Sequence, residues 1–101
     1  MPLIPKDQNL FVVDLHYVEP FEKIDPEIDA HIEFLDRNYA IGTFIASGAK
    51  VPRTGGVIIA TATSRDALEH ILASDPFYAK DLARYTITEF RPTKTAPQLM
   101  R

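Results

Sequence analysis

The sequence predicts a single α+β domain whose elements run strand, helix, strand, strand, helix, strand, and three observations predict it. Four stretches show the two-residue period or the β-branched composition of strands. Two others carry apolar residues at helical spacing, and Pro, Gly and Asp-Pro punctuation falls between the elements. The length of 101 residues suits one domain, with a core over about residues 10–92, an arm over 1–8 and a tail over 93–101.

Each element follows from local chemistry. Residues 10–18 form the first strand, with Phe11, Val13, Leu15 and Tyr17 on one face. The other face mixes Leu10, Val12 and Val18 with Asp14 and His16. Pro20 ends this strand. Asp25 as N-cap and Pro26 at the first helical position then start the first helix, and Glu27 and Asp29 suit its positive end. Ile28, Ile32, Leu35 and Tyr39 form its apolar stripe, and Gly42 stops it. Residues 43–49 read as the second strand. Pro52 and Gly55-Gly56 mark a hairpin connection, and residues 57–63 are apolar enough for a central strand buried on both faces. Ser64 caps a second helix with the stripe Ala67, Leu68, Ile71 and Leu72. Asp75-Pro76 repeats the cap signal and opens a short helical turn to about Leu82. Residues 84–91 alternate as the fourth strand, and Pro92 ends it.

This order is the ferredoxin-like split βαβ. The right-handed crossover rule places both helices on one face of a four-stranded antiparallel sheet. The uncovered face carries Val12 and Val18 together with apolar central-strand residues, which predicts a homodimer of facing sheets. A domain this small buries only about two-thirds of its unfolded surface, so a partner subunit would add stability.

Composition bounds the function. A hydrophobic fraction of 46% and a charged fraction of 25% describe a globular chain, not a disordered one. The net charge of −3 gives no footprint for nucleic acid. The absence of cysteine excludes disulfides, Cys-ligated zinc and a Cys nucleophile. No apolar run approaches the roughly 18 residues of a membrane span, and the first residues lack a signal-peptide core, so the expected location is the cytoplasm. Glycine-rich nucleotide loops, HExxH and a helical His pair are all missing, so no cofactor or metal is expected. Ser47-Gly48 does not sit in a nucleophile-elbow context. The aromatic residues Phe11, Tyr17, Phe34, Tyr39, Phe77 and Tyr78 read as core or pocket wall.

Three histidines remain for acid–base work. His70 lies off the second helix's stripe and reads as a surface residue. His16 shares a strand face with Asp14, which suits a pocket or a polar surface pair equally well. His31 falls on the flank of the first helix's stripe, where a side chain touches both core and cleft. A half-buried structural histidine explains that position too. A general base of this kind needs a carboxylate to fix its tautomer. Asp36 reads as exposed, Glu89 as an ion-pair partner of its own strand, and Asp75 as a helix cap. Spacing alone does not bring Asp75 to His31.

The run from His31 to Asp36, Gly42-Thr-Phe-Ile-Ala-Ser-Gly48, Pro52-Arg-Thr-Gly-Gly56, Asp75-Pro-Phe77 and Glu89-Phe-Arg-Pro92 together resemble the YciI-like (YCII-related) family over about residues 10–92. The resemblance implies a dimeric α/β barrel, similar in fold to muconolactone isomerases and small cofactor-free monooxygenases. It also implies a His–Asp pair in a pocket of each subunit, matching His31 and Asp75. One branch of that family removes chloride from a chlorinated hydroxyquinol. On this resemblance the chain is an enzyme for a small aromatic or enol-type molecule. His31 is its general base or acid and Asp75 orients the imidazole, while His16, Ser47, Gly48 and Arg53 contact the substrate. The alternative is a binding or regulatory module that uses the same pocket without turnover. An oxygen- or haem-handling barrel ranks below both, since the chain has no Trp.

Overall fold

The alternation of the first strand becomes β1 (Asn9–Tyr17), one of the two central strands of the sheet. The structure is a computed structural model and describes residues 3–99. Strands β2 (Phe44–Ala49), β3 (Gly55–Ala62) and β4 (Ala83–Phe90) join β1 in one antiparallel sheet of order β2-β3-β1-β4. This is the ferredoxin-like α+β arrangement. Register stacks Ile58, Val13 and Ile87 across the sheet, and next to them Gly56, Leu15 and Tyr85. Helices α1 (Phe21–Ile24), α2 (Ile28–Ala40), α3 (Arg65–Leu72) and α4 (Pro76–Ala79) supply Ile24, Phe34, Leu68, Leu72 and Phe77 to the same core cluster as Phe11, Val13 and Leu15. Burial of each such side chain contributes roughly 1.5–3 kcal/mol.

Caps set the element ends. Ser64 accepts a hydrogen bond from the Ala67 amide at 3.0 Å and starts α3. Gly42, at φ +83°, ends α2, and its N–H donates to the Tyr39 carbonyl.

The first helix departs from the sequence reading in two ways. It begins at Phe21 and passes through a 3₁₀ turn (Asp25–Glu27), so Asp25-Pro26 lies inside a helical run. Pro26 sits at the first positions of that 3₁₀ turn, where a missing N–H costs little. Asp25 makes no cap bond and binds Arg53 instead. The buried face is also rotated. Phe34 and Asn38 point inward, while Ile32 and Tyr39 are 45% and 38% exposed. Asn38 tolerates burial because its side-chain amide donates to the Phe34 carbonyl at 2.9 Å. The rotation turns His31 toward the core.

The uncovered sheet face is mixed. Leu10 and Thr61 are buried, but Val12, Val57 and Ile59 are only half-buried in the single chain, so β3 is not covered on both sides as expected. Polar pairs share this face, including Lys50 with Asp14 at 2.6 Å. Within the expected arm, Ile4 is fully buried. Residues 1, 2, 100 and 101 of the expected arm and tail lie outside the described residues. Among the described residues no helix is long and apolar enough to cross a membrane.

Candidate active site

The site is built around one helix cap. Asp75 adopts an extended backbone (φ −70°, ψ 126°) ahead of Pro76, and its Oδ1 accepts the Phe77 N–H at 3.0 Å. That cap aims the carboxylate back under α2. There the same Oδ1 lies 2.8 Å from His31 Nδ1, although 44 residues separate the two in sequence. Asp75 is 0% exposed. Its second oxygen accepts the hydroxyl of Tyr85, which β4 alternation places on the core side of the sheet. Two donors, the Phe77 N–H and the Tyr85 hydroxyl, already converge on this carboxyl group, so it acts as an acceptor. Nδ1 of a neutral His31 therefore carries the proton, and Nε2 keeps its lone pair.

The imidazole is also held by its faces. Its ring stacks on Phe77 at 4.2 Å between centroids and 13° between planes, and Phe34 lies at 6.2 Å. A ring fixed by one edge and one face keeps few orientations. Burial, and then the charge of Asp75, hold the Tyr85 hydroxyl far above the usual phenol range, so it stays a donor.

His31 forms part of the wall of a cavity of about 330 Å³. Ile28, Ile32, Leu35 and Phe77 line its helix side, and Leu15, Tyr17 and Ile58 its sheet side. Ser47, Gly48 and Arg53 line it as well, so the structure brings these three residues to the cavity that holds His31. Ser47 Oγ is 2.6 Å from the Tyr39 hydroxyl. Arg53 binds Asp25 at 2.7 Å, with its guanidinium 4.5 Å from the Phe21 ring centroid and 5.7 Å from that of Tyr17. The bond to Asp25 raises the Arg53 pKa further, so the group is cationic. Among the described residues the lining contains His31 and Arg53 and no Asp or Glu, and Asp75 is wholly buried against His31 and the Phe77 amide. Two glycines shape the floor. A Cβ on Gly55 would fall 1.7 Å from the Leu15 carbonyl oxygen, and one on Gly56 would fall 3.1 Å from that of Gly48.

His16 is not part of this constellation. It is exposed on the opposite sheet face, in register between Gly55 and Arg84, and lines a separate recess with Glu19 and Phe21 and with Tyr17 and Arg53, the two residues that this recess shares with the His31 cavity. Strand period two puts it there, because Leu15 and Tyr17 are the β1 residues that face the cavity. Asp14 pairs with Lys50, and Glu89 accepts from Asn9 at 2.9 Å. His70 is exposed on α3. Tyr85 was missed at the sequence level. Its alternation with Ala83 and Ile87 is a usable signal, since a phenol turned inward needs a partner for its hydroxyl.

Residues 6–91 match the family model of the YCII-related domain. The chain belongs to the YCII-related family. Its fold is similar to that of 5-chloro-2-hydroxyhydroquinone dehydrochlorinase (TftG) from Burkholderia phenoliruptrix AC1100, solved in complex with 2,5-dihydroxybenzoquinone. The two share 18% identity and a TM-score of 0.70, over 81% of this chain and 93% of that one. It is also similar to a mutant of SnoaB, a cofactor-independent oxygenase from Streptomyces nogalater. That match has 19% identity and a TM-score of 0.50, over 90% of this chain and 98% of the other. No curated protein sequence matches the chain. Both likenesses are of fold: this YCII-related protein shares the ferredoxin-like α+β arrangement of the two solved structures.

Proposed function

We propose that this YCII-related protein is a cofactor-free enzyme in which His31 moves a proton on a small aromatic or enol-type molecule. The observation that supports this most is the 2.8 Å contact between His31 Nδ1 and a wholly buried Asp75, with His31 in the wall of an apolar cavity. Asp75 orients the imidazole and steadies its charged form. Arg53, held by its ion pair with Asp25, puts guanidinium N–H donors in the lining, which suits a phenolate or enolate oxygen. Ser47 offers a hydroxyl, and Gly48 leaves room for a flat ring.

Loss of HCl from a chlorinated hydroxyquinol fits this equipment. One hydroxyl proton moves to the chlorine-bearing carbon. Chloride then leaves with the C–Cl bonding pair as a second hydroxyl proton is taken, which yields a quinone. Atoms and electrons balance without an oxidant. Purified protein given 5-chloro-2-hydroxyhydroquinone should release chloride above the spontaneous rate. Saturable binding of the quinol with no chloride release would instead favour a binding module. Neither binding nor release would remove this substrate class.

The second copy belongs to the same proposal. The sheet face away from the helices exposes Val18 at 44% and Phe90 at 43%, beside the half-buried Val12, Val57 and Ile59. Pairing two such faces would cover them. Sedimentation at micromolar concentration should give twice the 11.4 kDa chain mass. A lone monomer boundary would contradict the pairing.

A further inference from the structure

We propose that Tyr85 is a positioning residue, whose hydroxyl on Asp75 Oδ2 holds the buried carboxylate in the orientation that presents Oδ1 to His31. The inference rests on the proton-transfer role of His31 only for its functional meaning. The geometric claim stands separately.

The carboxylate plane explains the need. Rotation about the last torsion of an aspartate is broad and weakly restrained. Both the Phe77 amide and His31 Nδ1 bind the same oxygen, Oδ1, at 3.0 and 2.8 Å. Two bonds to one oxygen leave the plane free to swing about it. A donor on Oδ2 removes that freedom, and the hydroxyl of Tyr85 is that donor. It also satisfies an oxygen that has no access to water, because Asp75 is 0% exposed. The phenol is held in turn. Its backbone is fixed opposite Leu15 in the β1–β4 ladder, and the Tyr78 ring packs edge-on against it at 5.3 Å and 80°. Desolvation keeps the hydroxyl protonated, so its direction of donation does not change. Tyr85 thus links the strand register to the ring orientation of a histidine on another element. It does not line the cavity itself, so it acts through Asp75.

The test is side-chain ¹⁵N NMR of His31 in the wild type, Tyr85→Phe and Asp75→Asn. Tyr85→Phe keeps the ring and its packing and removes one oxygen. In the wild type, neutral His31 should be in the Nδ1–H form. In Tyr85→Phe the ratio of Nδ1–H to Nε2–H should fall about tenfold, which corresponds to a bond weakened by about 1.4 kcal/mol. Asp75→Asn should shift the ratio further. An unchanged or increased ratio in Tyr85→Phe overturns the proposal, and Tyr78→Phe should leave the ratio alone. A second measurement needs no variant: the Tyr85 hydroxyl proton of the wild type should give a downfield, slowly exchanging resonance, and its absence overturns the proposal too. A tautomer shift in Tyr85→Phe alongside full activity of a His31 variant would sink the catalytic reading and leave the positioning role standing.

Discussion

Replacing His31 with glutamine should lower turnover by roughly 10²–10⁴-fold, the range a well-placed acid–base group contributes. Glutamine keeps an N–H that can reach Asp75 but has no nitrogen able to take and return a proton. On the proposed mechanism the loss should fall on kcat, because the proton moves in the transition state while the apolar lining and Arg53 would supply most of the ligand affinity. Folding should survive. The His31 side chain is 14% exposed, and among the described residues its hydrogen-bond partner is Asp75. A weakened bond to a buried carboxylate costs about 1–3 kcal/mol against a total of roughly 5–15 for a domain. Far-UV circular dichroism and a thermal melt of the variant check that the protein is intact. Chloride release within about tenfold of wild type would take His31 out of the chemistry.

The parts of the fold legible in the sequence were those with local causes. Ser64 and Asp75 announce their helices because a short oxygen-bearing side chain reaches an amide two or three residues on. Gly42 announces a stop because its φ is positive. The rotation of α2 was not legible. Ile28, Ile32, Leu35 and Tyr39 make a better hydrophobic stripe than Ile24, His31, Phe34 and Asn38, and the two stripes overlap in angle. What decides between them is non-local. Ile32 is drawn to the cavity, Tyr39 reaches Ser47, and Asn38 satisfies itself on the Phe34 carbonyl. The same limit applies to the site. Asp75 is fully explained as a cap, and nothing local says that the capping oxygen also faces His31. Resemblance to a family supplied that pairing, and the topology supplies its physical cause. Asp75 sits on the connection that follows α3, and the short α4 packs its Phe77 against the His31 ring. His16 shows the converse. Its residue type invited a role, but the period of β1 turns it to the opposite face.

Gly55→Ala should unfold the protein or lower its melting temperature by more than about 12 °C, while Gly56→Ala should be tolerated far better. The two neighbours differ in what a methyl group would meet. At Gly55 the new carbon would lie 1.7 Å from the Leu15 carbonyl oxygen, 2.8 Å from its carbon and 3.1 Å from the His16 Cα. All three are main-chain atoms of β1, so no rotamer change relieves the overlap. β1 would have to separate from β3 where it also pairs with β4. Overpacking costs about 1–3 kcal/mol where side chains can yield, and the upper end is a floor here. In a domain of this size each kcal/mol moves the melting temperature by about 4–8 °C. At Gly56 the atom met among the described residues is the Gly48 oxygen at 3.1 Å, and a shift of a few tenths of an ångström at β2 accommodates it. β2 is the outer strand of that pair and already carries an irregular register between Phe44 and Ala46, so it can give. Thermal melts followed by circular dichroism compare the two variants. A Gly55→Ala protein that melts within a few degrees of wild type would mean that β1 and β3 do not approach as described. The consequence for the site is direct. Gly55 lines the cavity together with Leu15 and Tyr17 of β1, so the strand approach that fixes the stability of the sheet also runs along the wall that holds His31.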